Sequence, residues 1–241
     1  MSFIKNMFGN KDTKAKMKES GYSKNYIDLL SNSIGVMRLR QKRFAEVIAG
    51  LDWNVDLTHG VIEFGDRRYP IQFIGSESHV SNTWMWGSNN VNGFRDEIVK
   101  SVRIFVERSE IKNTKEICEN GFKMDSMING HYLASIFADY ANACYYRCNY
   151  ENGAAFVLVK DVPEEVYVSA DAEVVMSTIT ELISQLPLNH LLLVKGLFKH
   201  NCIRYDNMSN EVLKGYFRDA KMVEISFDGM ERITNMKLGK Y

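Results

Sequence analysis

The segment Thr83-Trp84-Met85-Trp86-Gly87-Ser88-Asn89-Asn90 holds the residues best suited to grip a ligand. Read as a strand, its alternation puts Trp84 and Trp86 on one face and Thr83 and Met85 on the other. It ends in small polar residues that leave room beside two indoles. An indole offers a broad apolar surface and one N–H donor, which suits sugars, bases, peptides and protein anchors alike. Glu63, Tyr69, Asn90 and Asp96 are the polar neighbours that would complete a pocket at the end of that strand. The same pattern has a plainer reading, in which Trp84 and Trp86 pack under a central buried helix over Met127 to Tyr146, together with Trp53.

No other stretch specifies a reaction. The sequence has no Gly-x-Ser-x-Gly elbow, no phosphate-cradling Gly-x-x-x-x-Gly-Lys, no dinucleotide fingerprint and no His-Glu-x-x-His pair. His59, His79, His131, His190 and His200 fall in turns or singly on helices, where structural roles are the common ones. Glu164-Glu165 follows Pro163 in a loop that solvates both carboxylates, and Glu63 with Glu77 forms the other acidic pair. Residue type alone does not fix the separation that two-carboxylate glycoside chemistry demands. Cys144 and Cys148 are suggestively spaced, but no second Cys or His stands near them at ligand spacing, so no metal is expected. No cofactor is expected either, and no catalytic residue is assigned.

Thirty basic residues balance thirty acidic ones, so no overall field attracts nucleic acid and none is expected as a partner. Four cysteines without a secretory leader fit a cytoplasmic protein with free thiols. The most apolar run, Leu191 to Phe198, contains Lys195 and Gly196 and is too short to span a bilayer. Phe3, Ile4, Met7 and Phe8 open a lysine-rich stretch, read as a flexible basic lead-in over residues 1–22. Its other reading is weak peripheral contact of residues 1–24 with an anionic membrane surface.

The elements that must position these residues follow from periodicity. Ser23 caps a long helix whose face is Tyr26, Leu30, Ile34, Met37, Phe44, Ile48 and Leu51. Four strands follow, over 53–57, 61–64, 69–74 and 80–86, with turns at Thr58-His59-Gly60 and Gly65-Asp66. Helices are predicted from Phe94 to Ser109 and from Met127 to Tyr146, with a single turn near 114–119 between them. Asn152-Gly153 marks a hairpin joining 145–149 to 154–159, because that dipeptide supplies positive φ angles. Helices to Gln185 and over 189–200 precede a closing set of short strands at 203–206, 211–217, 221–227 and 232–238.

This order means α+β: an antiparallel sheet built from two β-meanders with a hairpin between them, packed by several helices. Residues 23–241 are read as a single domain, with lobes at 23–125 and 126–241 as the alternative. The balanced charge and missing catalytic templates favour a non-catalytic protein-interaction module, immunity-like or accessory. The alternative is a small-ligand-binding protein or enzyme with a pocket beside Trp84 and Trp86.

Thr83-Trp84-x-Trp86 running into Asn89-Asn90, with Gly75 before it, resembles the signature of a family of uncharacterised bacterial domains. In that family a strand ends in Trp-x-Trp followed by Asn. The Trp53 to Phe64 hairpin and the closing Phe227-Asp228-Gly229 with Arg232-Ile233 are similar too. The resemblance implies a fold context and a bacterial origin, without a substrate or a catalytic residue.

Overall fold

The apolar stripe predicted near the N-terminus becomes α1 (Lys24–Val47), a 24-residue helix that buries Tyr26, Leu30, Ile34, Met37 and Phe44. The computed structural model describes residues 24–108, 114–119, 121–209 and 211–241. The expected cap Ser23 and the basic lead-in lie outside them. Among the described residues no helix is long and apolar enough to cross a membrane.

The chain divides into two compact units, one of Arg40–Tyr167 and the other of residues 24–39 with Val168–Tyr241. These are not the sequential halves at 23–125 and 126–241. The reason is strand pairing: the hairpin of β6 (Cys144–Tyr150) and β7 (Gly153–Val159) adds to the first meander, so its residues join the N-terminal strands.

In the Arg40–Tyr167 unit, β1 (Trp53–Asp56), β2 (Val61–Phe64), β3 (Arg67–Ser78), β4 (Thr83–Trp86) and β5 (Gly121–Lys123) pair in sequence order, all antiparallel. Gly60 and Gly65, at φ 70° and 58°, supply the left-handed turns that the first two hairpins need. β3 is the axis of this seven-stranded sheet. Residues 67–70 pair with β2 and 75–78 with β4, while β7 runs along the opposite edge from Ile71 to Ser78. A register shift between Phe73 and Gly75 marks a bulge at Ile74, which bends so long a strand. α2 (Asp96–Val106), the one-turn α3 (Lys115–Cys118) and α4 (Gly130–Tyr140) complete the unit.

Three sequence expectations shift here. The helix predicted over 127–146 ends at Tyr140, because Asn142 turns the chain at φ 48° and Cys144 enters β6. β4 begins at Thr83 rather than Val80, after a turn through Asn82 at φ 52°. The β6–β7 hairpin is present, but neither of its loop residues, Glu151 and Asn152, has a positive φ. Gly153 is needed there for clearance, since a Cβ would overlap the Glu77 carbonyl.

In the second unit, β8 (Arg204–Ser209), β9 (Val212–Tyr216), β10 (Lys221–Phe227) and β11 (Ile233–Lys240) form a separate four-stranded meander. The two predicted meanders therefore belong to different sheets. Leu213, Val223, Ile225, Phe227 and Ile233 are buried, and Lys214 and Glu224 pair across the outward face at 2.9 Å. α5 (Ala172–Gln185) and α6 (His190–Asn201) pack in this unit. At the start of α6 the buried His190 accepts the Ile233 N–H through Nδ1 at 3.1 Å. Desolvation pushes its pKa down to about 4, with Asp228 opposing and Arg232 reinforcing the shift.

Candidate functional site

The strand alternation read for Trp84 and Trp86 holds, and it points both indoles into the core. Trp84 is 0% and Trp86 1% exposed. The two rings meet edge to face at 5.3 Å, Trp84 meets Phe156 of β7 at 5.4 Å, and Trp86 meets Phe105 of α2 at 6.2 Å. Gly75 makes this possible, because a Cβ there would lie 2.5 Å from Trp84 Cζ2. Among the described residues neither indole N–H has a hydrogen-bond partner, and the edge-to-face ring contacts leave aromatic faces as the weak acceptors nearby. Trp53 does not join them and packs on Tyr146 at 5.5 Å.

The other four predicted site residues are not gathered with the indoles. Tyr69 is buried against Phe44 and Phe64. Glu63 faces solvent on β2, 3.7 Å from Arg68. Asn90, at φ 43°, closes its own loop by donating to the Phe94 carbonyl at 2.7 Å and accepting the Phe94 N–H at 2.8 Å. Asp96 is exposed in the first turn of α2 and pairs with Arg103 at 3.2 Å. These are core, surface and loop-closing positions, and the tryptophans are buried, with ring contacts to Phe156 of β7 and Phe105 of α2 and without Trp53.

A different constellation lies one register position away. Glu77 on β3 faces Trp84 across one strand pair and Ala154 across the other, and Asn149 of β6 lies beyond Ala154. Glu77 is 7% exposed, and Arg147 of β6 holds it by donating Nε to Oε1 at 2.9 Å and Nη2 to the same oxygen. Arg147 also donates Nη1 to Asn149 Oδ1 and approaches His79 Nε2 through Nη2 at 2.9 Å. His79 Nε2 also lies 3.2 Å from Glu77 Oε1, so the imidazole touches both members of the ion pair.

The second carboxylate oxygen, Oε2, has no hydrogen-bond partner among the described residues and is not among the sealed polar atoms. It faces the start of α4, where a Cβ on Gly130 would lie 2.8 Å from it and 2.5 Å from the Phe156 ring. Glycine at that position lets the helix begin this close to the carboxylate. The next residue, His131, stands over Phe156 at 5.3 Å and meets the Tyr145 hydroxyl through Nδ1 at 3.1 Å. Packing desolvates the His131 ring and, with the Arg147 guanidinium, holds its pKa below the ordinary imidazole value against the opposing pull of Glu77. Among the described residues no group of three His, Cys, Asp or Glu is placed to hold a metal ion.

The outer edge of β6 is the second feature. Tyr145 turns its N–H and C=O away from β7, and the Gln41 side-chain amide of α1 satisfies both. Nε2 donates to the carbonyl at 2.8 Å and Oε1 accepts the N–H at 3.1 Å. By strand alternation Arg147 and Asn149 turn their main-chain groups the same way. β6 pairs only with β7, and no partner for those four groups occurs among the described residues. Beside this edge, Arg40 donates to the Ala143 carbonyl at 3.3 Å and to Asn142 Oδ1 at 3.1 Å, fixing the entry to the strand.

A curled antiparallel sheet with helices against it, a carboxylate-centred polar cluster drawn from β3 and β6 across β7, and an outer edge of β6 without a strand partner among the described residues define an α+β domain. The chain belongs to the family of unknown function DUF6882, whose profile matches residues 27–162, more than half of its length. That stretch contains Gln41, Glu77, His79, His131, Arg147 and Asn149. No curated protein and no solved structure matches the chain.

The sequence pairs Glu77 with Glu63 and gives the histidines singly, and it does not signal the association of Glu77 and His79 with Arg147 and Asn149 or that of Gln41 with Tyr145. The signal available was Glu77-x-His79, an i, i+2 pair at the end of β3, with His79 just past its last residue Ser78. Its partners come from β6, which reaches β3 only through β7, and that pairing is not written in local periodicity.

Proposed function

We propose that the Arg40–Tyr167 unit is a protein-interaction module that takes an extended segment of a partner protein along the free edge of β6. The observation that carries this reading is the outward, unpaired main chain of Arg147 and Asn149, next to a Tyr145 already engaged by an amide. In strand addition the main-chain hydrogen bonds supply affinity and alternate side chains supply selectivity. The Gln41 amide makes the two bonds that one peptide group of an added strand would make, so this edge already accommodates that chemistry. A cytoplasmic setting suits the reading, since Cys144, Cys148 and Cys202 are free thiols, and the bacterial origin is the one the sequence resemblance implies.

The test is selection of binding peptides from a displayed random library, followed by amide hydrogen exchange on the complex. Strand addition slows exchange at the Arg147 and Asn149 amides and leaves Tyr145, already bonded, unchanged. A selected peptide that binds tightly without protecting those two amides refutes the reading.

A further inference from the structure

The Glu77 cluster and the β6 edge are separate features, and the cluster is not spent on the proposed strand addition. Glu77 lies two strands in from that edge, separated from Asn149 by Ala154 of β7. Its carboxylate is held in one orientation by a guanidinium that fixes Oε1 and leaves Oε2 unbonded. Oε2 lies against Gly130 at the start of α4, beside the Phe156 ring that His131 of α4 stands over, and Asn149 of β6 shares that sheet face and accepts from Arg147 Nη1. His79 stays half-open to solvent on the far side of Arg147.

We propose that this cluster binds a neutral, polyhydroxylated ligand of the sugar or polyol class, with a ligand hydroxyl donating to Glu77 Oε2. The class follows from what the groups can still do. An anion would meet the carboxylate, and Arg147 has one N–H left to offer it, since the other four contact Glu77, Asn149 and His79. A cation would meet the Arg147 guanidinium and the positive end of the 11-residue helix α4, beside which Oε2 lies. An apolar ligand would strip water from Oε2 without replacing its hydrogen bond. A hydroxyl donates to the free oxygen without bringing charge, and a second hydroxyl finds groups in His131 and Asn149 that both donate and accept.

Three probe classes separate the outcomes: the neutral polyols glucose, galactose and inositol; inorganic phosphate; and putrescine. Thermal shift and the His131 ring signals in NMR are read for each on the full chain. At least one polyol raises Tm in a saturable way and moves the His131 resonances, while phosphate and putrescine leave those resonances in place. Glu77→Gln weakens polyol binding at least tenfold. Should that variant unfold, His131→Phe, which keeps a ring on Phe156, shows the same direction of loss. Saturable displacement of the His131 signals by phosphate or putrescine, with the polyols silent, overturns the ligand class. Silence from all three overturns the site itself and leaves the β6 edge reading to its own exchange experiment.

Discussion

Acidification should weaken this protein through one buried ring, His190, by an amount the structure allows to be worked out. The folded protein holds His190 neutral, with Nδ1 accepting the Ile233 N–H, and its pKa falls from 6.5 to about 4 because burial excludes the charged form. The unfolded chain binds a proton at this residue near pH 6.5 and the folded chain only near pH 4, so stability falls as pH drops between those values. It is fully present above pH 6.5. Each tenfold difference in proton affinity is worth about 1.4 kcal/mol, which makes the whole loss about 3 kcal/mol, of which about 2 kcal/mol has gone by pH 5. Urea unfolding of the wild type and of His190→Asn between pH 7 and pH 4 measures it. Asparagine keeps an acceptor near the Nδ1 position but cannot take up a proton in this range. The wild type should show the extra pH slope and the variant should lack it, since the carboxylates that titrate nearby are common to both. Equal slopes would refute the assignment of the loss to this ring.

Gln41→Ala removes both bonds to Tyr145 and should cost about 1–2 kcal/mol in denaturant unfolding, with faster hydrogen exchange at the Tyr145 amide as its local signature. Gly153→Ala forces a methyl group onto the Glu77 carbonyl and the Tyr150 hydroxyl, and should destabilise by about 1–3 kcal/mol in the same measurement. Burial pushes the Cys144 and Cys148 thiols up to about 12, leaving roughly one in ten thousand ionised at pH 8. Iodoacetamide should therefore label them in urea and spare them in the folded protein, as peptide mass mapping will show. Trp84→Ala empties the site of a fully buried ring and should cost about 3–5 kcal/mol, with loss of cooperative unfolding as the visible result.

Periodicity carried the local part of this fold. The apolar stripe of α1, the hairpins at Gly60 and Gly65 and the closing meander all follow from residue type and spacing, because each is decided by neighbours in sequence. What periodicity could not carry was pairing between distant strands. Cys144 continues the helical spacing of Leu133, Ile136 and Phe137, yet Asn142 breaks the helix and the strand that follows is recruited by β7. β5 has three residues, too few for alternation to register, and it exists because β4 offers it an edge. The indoles were correctly set on one face, but which face the helices cover depends on Phe105 and Phe156, both far away in sequence. The Glu77 cluster was illegible for the same reason, since Arg147 reaches that carboxylate only after two strand pairings are in place.

The amide of Gln41 also acts as an end-stop. An added strand could bond at Asn149 and Arg147 but would run into an occupied position at Tyr145, so it can use only about 7 Å of this edge. Two peptide units suffice to seat a short recognition sequence, whereas sheet-on-sheet polymerisation needs a long uninterrupted rail. On the proposed strand-addition reading, one glutamine thus keeps this border short enough to select among partners.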